Sequence, residues 1–439
     1  MDDLSPGDRV ALVVPGSRTY VEVVLTLLAD GIFPVPLDPR LTAREQELVL
    51  GDLTPRRVVR TPAELRSLLQ PAGVLRMPRG RPMHVTSGTT GTPKGVFSGL
   101  LDDRHAAALV AEERDLWGFC SSDVNLVLSP LYHSAPLRFA LGTLLAGGEL
   151  TGFDETGSQP GFDPTFVTSV IETERPTTMF CVPAHLQRLF AHWDEVGVPD
   201  LSGFRLVAHA GAPCPAAVKH RLIELFPTGS TWEFYGSTEG QFTACRSEEW
   251  LARPGTVGRA RPGRVLSVDD TGQIWCAAPE HSRFTYFGAP EKTASAWRPT
   301  ADGPAFSVGD LGRLDEDGYL WLEGRREDLI ITGGVNVYPV EVENALREHP
   351  GVRDVAVYGV PDDRWGQRVC ATVVGEVTRA TLDRWARERL APPKRPKEYT
   401  FTGDLPRTLT GKVRRTELQA AADREGQPTS ATVQENERR

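Results

Sequence analysis

The sequence predicts an α/β protein. A large N-terminal domain of layered parallel sheets with helices carries a small β subdomain, and a small α+β C-terminal domain follows. Three observations carry this. Short apolar runs alternate with amphipathic helical stretches from Val10 to about Phe226. Between Thr256 and Tyr319 the chain turns rich in glycine, aspartate and short apolar alternations. After Arg325 a second strand–helix pattern begins. Alternating strand and helix implies a mostly parallel sheet covered by helices. Such sheets hold ligands in the loops beyond the carboxyl ends of their strands.

Element by element, Val10–Val14 reads as a strand, Tyr20–Leu28 as a helix and Ile32–Leu37 as a strand again. Pro164–Glu174 has helical spacing through Phe166, Val167, Val170 and Ile171. Thr178–Val182 is a strand and Pro183–His192 a helix opened by proline. Arg205–Ala210 is a strand and Pro215–Phe226 a helix. In the C-terminal part, Pro339–His349 and Arg379–Leu390 are helices, and Val355–Val360 and Val369–Val374 are strands. From about Gln419 onward, large apolar residues are absent, which predicts a disordered tail over 419–439.

At roughly 100–200 residues per domain, 439 residues leave room for two to three domains with buried cores. The 40% hydrophobic and 24% charged content excludes a wholly disordered chain. A net charge of −9 has the wrong sign for a global nucleic-acid or membrane-surface binder. Any anionic ligand must therefore be held by local groups. The cysteines at 120, 181, 214, 245, 276 and 370 form no CxxC pair, and no two histidines sit four apart. Neither a zinc site nor a thioredoxin-like centre is indicated. No run approaches the ~18 apolar residues of a membrane helix, and the N-terminus has no signal-peptide pattern. A cytoplasmic protein with reduced thiols is expected.

Four stretches carry chemistry. In Thr86-Ser-Gly-Thr-Thr-Gly-Thr-Pro-Lys-Gly95, three glycines, five hydroxyl residues and one lysine follow His84-Val85. Glycine backbone and hydroxyls can ring phosphate oxygens while Lys94 adds a cation, yet no Gly-Lys-Ser/Thr Walker sequence is present. A flexible surface loop is the plainer alternative. Phe234-Tyr-Gly-Ser-Thr-Glu-Gly240 offers a ring for a base, a hydroxyl for a phosphate and a carboxylate for Mg²⁺. A capped turn would also explain it. In the stretch 309–343, Asp310 follows a glycine in a setting suited to sugar hydroxyls, and Gly333-Gly334 permits close backbone approach. Finally, Leu405-Pro-Arg-Thr-Leu-Thr-Gly-Lys412-Val-Arg-Arg415 presents a lysine at a glycine turn. Its basic run reads as solvated surface.

In this order the four stretches resemble the adenylate-forming (acyl-activating) superfamily, which includes acyl-CoA ligases, stand-alone adenylation domains and luciferases. The resemblance spans about Gly7 to Leu418. It implies ATP-dependent activation of a carboxylate as acyl-AMP, then attack by a thiol that expels AMP. It divides the chain into an AMP-binding domain over 1–326, trimmed at its N-terminus, a mobile C-terminal domain over 327–418, and the tail.

By resemblance, Thr86, Ser87, Gly88, Thr89, Thr90 and Lys94 hold the β- and γ-phosphates, Thr238 the α-phosphate, and Glu239 the Mg²⁺. Gly211, Ala212, Pro213, Tyr235 and Gly236 surround adenine; Asp310 and Arg325 bind ribose. Lys412 bridges the carboxylate and the α-phosphate. Glu327 occupies the hinge. Gly333 and Gly334 line the pantetheine path, with Trp365, Arg395 and Lys397 against coenzyme A; plain packing is the alternative for Trp365. His133, Ser134, Ala135, Ala210, Gly236 and Phe242 surround the acyl group, and His133 also reads as a structural histidine.

Departures from the family pattern are the late start, Phe306-Ser-Val before Gly309, Gln273, and Pro393 where an aromatic is common. No aspartate suits an α-amine, so an amino acid is disfavoured. A fatty, steroid-like, polyketide-derived or aryl acid is the expected substrate, with ATP, Mg²⁺ and coenzyme A. An acyl-AMP ligase loading a carrier protein and a non-catalytic nucleotide-binding module are the alternatives. A homodimer is left open; nucleic acid and membrane are not expected partners.

Overall fold

The computed structural model describes residues 3–69, 76–86, 94–325, 328–332, 335–362, 364–407 and 413–426. Two compact units divide the chain. The first comprises Met1–Ser267, Trp275–Val308 and Asp315–Leu320, and the second Val268–Ile274, Gly309–Leu314 and Trp321–Arg439.

Parallel sheets dominate the first unit. Arg9–Leu12 lies between Phe33–Pro36 and Arg57–Val59, all parallel, with Val10 facing Pro34 on one side and Arg57 on the other. A seven-stranded sheet runs in the order Arg259–Ala260, Thr243–Arg246, Thr231–Glu233, Leu206–His209, Thr178–Cys181, Val124–Val127, Glu149–Thr151. Its last five strands are parallel and the first two antiparallel. Thr178–Cys181 and Leu206–His209 are buried at every position, as apolar runs sandwiched between helices must be. Antiparallel strands Ile274–Ala277, Gly303–Phe306 and Trp297–Thr300 supply the expected small β region.

Helices start where local chemistry says they should. Ser17 caps Arg18–Ala29 by accepting from the Tyr20 amide, and proline opens Pro164–Glu174 and Pro183–Val196. The longest helices of the first unit that went unread in the sequence are Ala43–Leu53, Asp103–Trp117 and Ser134–Leu145. The first carries a full capping box from Thr42 and Glu45, a signal present in the sequence.

The second unit holds a five-stranded sheet on helices Pro339–Arg347 and Arg379–Arg389. Val352–Asp362 and Gly366–Gly375 form its long central hairpin. The unit begins well before the expected boundary at 327. Gln273 bridges Leu311, and the Gly312 amide donates to the Gly272 carbonyl at 2.9 Å, so chain from the β region joins it. Helix Arg415–Gly426 also runs into the stretch expected to be tail. Leu418 and Ala422, four apart, bury against Tyr358, Cys370 and Leu405, which residue-type counting overlooked. Residues 427–439 lie outside the described residues. Among the described residues no helix is long and apolar enough to cross a membrane.

Candidate active site

The segment Phe234–Gly240 leaves the sheet at the carboxyl end of Thr231–Glu233 and closes into a tight turn. The Ser237 amide donates to the Gly240 carbonyl at 2.8 Å, the Glu239 amide donates to the Ser237 hydroxyl at 3.2 Å, and Gly236 bridges Gln241. Gly240 is required by approach: a Cβ there would stand 2.6 Å from the Phe306 ring. The Tyr286 hydroxyl donates to Glu239 Oε1 at 2.8 Å, which fixes the carboxylate. A lone, oriented carboxylate suits Mg²⁺ only when phosphate oxygens and waters complete its shell. No cluster of three His, Cys, Asp or Glu side chains that could hold a metal by itself is found among the described residues.

Beside this turn lies a cavity of about 330 Å³. Thr238, Gly240 and Gln241 line it from the turn, His84 from the start of the glycine-rich stretch, and Ser134 from the Pro130–Pro136 segment. Helix Ser134–Leu145 and its cap contribute a continuous stripe at 134, 137, 138, 141, 142, 145 and 146. That three-and-four spacing places the cavity along the whole helix. Its walls are mainly apolar, with Leu25, Leu28, Leu109 and Val110 among them.

The other residues expected around the acyl group do not line this cavity. Phe242 has no exposed surface and packs between Tyr235 and Phe306, with centroids 4.7 and 4.9 Å away. Ala135 and Ala210 belong to an aromatic cluster with Trp117, Phe139, Phe180 and Phe234. A Cβ on Gly236 would stand 2.8 Å from the Gln241 amide. His133 sits at the N-cap of Ser134–Leu145, edge-on to Tyr132 at 4.4 Å.

A buried charge cluster that the sequence did not disclose borders the cavity. Glu112 meets Arg264 at 2.7 Å and Arg261 at 3.3 Å, and Glu113 meets Arg261 at 2.8 Å and Arg138 at 3.2 Å. Burial works to raise the Glu112 carboxyl, but His281, Arg264 and Arg261 together hold it well below the usual range. Glu113 is likewise lowered against its burial by Arg138 and Arg261. Burial lowers Arg81 to about 10, while its guanidinium donates to the Glu239 carbonyl at 3.3 Å. Burial, reinforced by His133, pushes His84 down to about 3, so its imidazole is neutral. Nothing near Glu112-Glu113 in sequence marks the pair, because its arginine partners lie up to 152 positions away, at Arg264.

The adenine-loop candidates Gly211, Ala212 and Pro213 follow strand Leu206–His209. Gly211 has φ +91°, a backbone state that favours glycine. Lys219, on the helix after the loop, reaches back to His209 with Nζ–Nε2 2.7 Å and to Glu233 at 3.4 Å. Lys219 and His209 are fully buried. Burial raises Glu233, and burial with the neighbouring lysine keeps His209 far below its ordinary value. Tyr235, expected against adenine, is itself buried against Phe242. Lys94 pairs with Asp52 at 2.9 Å, and Thr86 ends the short strand Val85–Thr86 opposite Lys94.

The remaining candidates belong to the second unit. Asp310 and Arg325 are the first and last residues of the hairpin formed by Asp310–Leu314 and Leu320–Arg325, so its open end carries both. Trp365 is 40% exposed, with Lys397 Nζ 5.9 Å from its ring centre. Arg395 instead caps a helix: it donates to the carbonyls of Leu390 at 2.8 Å and Arg387 at 3.2 Å. Arg415, read as solvated, is partly buried. It donates to Glu343 at 2.6 Å and to the Val357 carbonyl at 3.1 Å. Ser87, Gly88, Thr89, Thr90, Glu327, Gly333, Gly334 and Lys412 lie outside the described residues.

Two family models match the chain: AMP-binding enzyme over residues 83–279, and AMP-binding enzyme C-terminal domain over 341–412. A feruloyl-CoA synthase from Amycolatopsis is 35% identical over 94% of this chain and 88% of its own. The long-chain-fatty-acid–CoA ligase FadD13 of Mycobacterium tuberculosis is 32% identical with the same coverage. The crystal structure of ATP-bound MatB from Rhodopseudomonas palustris matches with a TM-score of 0.79 and 30% identity, over 95% of this chain and 89% of that one. The chain belongs to the AMP-binding, adenylate-forming enzyme family.

Proposed function

We propose that this chain activates a carboxylic acid with ATP as an acyl adenylate and transfers the acyl group to coenzyme A. One observation carries the reading: a single, mainly apolar cavity gathers His84, Ser134 and Thr238, which come from three separate family motifs. The kinship with CoA ligases supports the same reaction. A carboxylate resists nucleophiles, and adenylation converts it into an acyl donor. The protein's share is positioning and charge stabilisation.

In this reading Thr238 contacts the α-phosphate and the hydroxyls of 86–90 the outer phosphates. Lys94 joins them on leaving Asp52. Glu239, held by Tyr286, is the protein ligand for Mg²⁺. Gly211–Pro213 and Tyr235 border the adenine, with Asp310 and Arg325 on the ribose. Lys412 neutralises the reacting oxygens and then withdraws as the C-terminal domain turns about Glu327. Trp365 and Lys397 face coenzyme A. The reaction is expected in the cytoplasm, where ATP and coenzyme A are available.

The deciding experiment is pyrophosphate exchange across a panel of carboxylic acids, followed by thioester analysis with coenzyme A. Acid-dependent exchange with CoA thioester formation is the expected result. Exchange with transfer only to a carrier-protein thiol would replace the acceptor, and absence of exchange with every acid would overturn the activity.

A further inference from the structure

The cavity beside Thr238 is not uniformly apolar, and its polar groups are placed unevenly. Along helix Ser134–Leu145, Arg138 follows Ser134 by about one turn, while Leu141, Leu145 and Ala146 continue the stripe beyond it. Arg264 lines the same cavity with 8% of the residue exposed.

Arg264 directs Nη2 to Glu112 at 2.7 Å and to the Ser282 hydroxyl at 3.1 Å. Its buried Nε and Nη1 have no hydrogen-bond partner among the described residues. The same is true of Arg138 Nε and Nη2, although Nε stands 3.2 Å from Glu113. With Arg81 and Arg261 included, four guanidinium groups are grouped around the two carboxylates of Glu112 and Glu113. Buried donors without acceptors, and buried charge without full compensation, are unfavourable. A saturated hydrocarbon chain filling the cavity would leave both deficits in place. A ligand oxygen brought against the guanidinium groups would relieve the first, and an anionic one both.

We propose that the acid taken by this cavity carries an oxygen acceptor part-way along its body, a carbonyl or a second carboxylate received by Arg138 and Arg264, with an apolar portion beyond it against Leu141 and Leu145. The inference rests on the adenylating activity proposed above. If the reacting carboxylate lies level with Thr238 and Ser134, an axial offset of four residues, about 6 Å, places the acceptor near the fifth carbon of a chain.

The test is pyrophosphate exchange by the full-length protein with three matched acids: decanoic, 5-oxodecanoic and 5-carboxydecanoic. At least one oxygenated acid should exceed decanoic acid by roughly 10- to 100-fold in kcat/KM, the range for hydrogen bonds to a charged group. The ketone arm reads a neutral acceptor and the carboxylate arm an anionic one. Removing Arg138 alone would strand Glu113, so the second test is the double variant Arg138→Met/Glu113→Gln. In it the ratio of oxygenated to plain acid should fall at least tenfold. Exchange with all three acids and no preference for an oxygenated one overturns the inference while leaving the activity standing. So does a ratio unchanged in the double variant. Silence with these acids and with every other acid of the wider panel overturns the activity and the inference with it.

Discussion

Lys219 Nζ lies 2.7 Å from His209 Nε2, and neither side chain has any exposed surface. The lysine is the donor, so the imidazole accepts in its neutral form, and Glu233 at 3.4 Å supplies the countercharge. The pair ties the two roots of the loop Ala210–Pro215 together. Replacing Lys219 by methionine leaves Glu233 buried without its partner. We expect a loss of about 3–5 kcal/mol, read as a lowered urea midpoint. The double variant Lys219→Met/Glu233→Gln should recover at least half of it. Equal losses in both variants would show that packing, not charge pairing, is what Lys219 contributes.

His84 and His209 make stability depend on pH in a fixed direction. Both have folded-state values below the unfolded ~6.5, His84 at about 3. Below pH 6.5 the unfolded chain therefore binds protons that the folded chain does not. Stability should fall as pH drops from 7 to 5, by up to about 1.4 kcal/mol per pH unit for each histidine. Glu112, held low, does not oppose this, whereas Glu233, raised by burial, works against it and makes the net slope shallower than the two histidines alone would give. Denaturant midpoints measured across that range check the slope, and His84→Phe should make it shallower.

The Tyr286 hydroxyl orients Glu239 from behind, and burial and the adjacent carboxylate raise its own pKa, so it remains a donor. Tyr286→Phe should keep the fold and raise the Mg²⁺ concentration for half-maximal exchange by roughly 10- to 100-fold. Glu239→Gln should affect the same titration more strongly. A Tyr286→Phe titration that superposes on the parent's would remove the orienting role.

Arg415 sits three positions after Lys412 and is anchored on Glu343, which is 3% exposed and also receives the Val357 amide at 2.9 Å. Arg415→Met should therefore weaken the first half-reaction at least tenfold and lower the melting temperature. Lys412→Ala should cripple adenylation with no change in melting and spare thioester formation from supplied acyl-AMP. Quench-flow of each half-reaction separates the two, and equal loss of both half-reactions in Lys412→Ala would count against its role.

What the sequence disclosed was local. Pro164–Glu174 was read to the residue, and Thr178–Cys181 and Leu206–His209 to within two, because caps, prolines and buried apolar runs write themselves in neighbouring positions. The motif loops were legible for the same reason. The charge cluster was not: Arg261 and Glu113 are separated by 148 positions and meet only after the helix and the small β region pack. Phe242 and Ala210 look like pocket walls in sequence, yet aromatic neighbours enclose them and neither lines the cavity beside Thr238. Arg395 and Arg415 share a composition signal with surface cations, and only the carbonyls and carboxylate they meet distinguish them.

Trp365 stands on the tip of a long hairpin, its amide held by Asp362 at 3.0 Å and its ring flanked by Arg364 and Lys397. Among the nine tryptophans, Trp117, Trp193 and Trp250 are buried. The hairpin indole is 40% exposed, so its emission should be red-shifted relative to theirs and open to quenching. Under the coenzyme A role proposed for Trp365, stacking of the incoming purine should quench this indole and report the arrival of the nucleotide-bearing thiol before any bond is made.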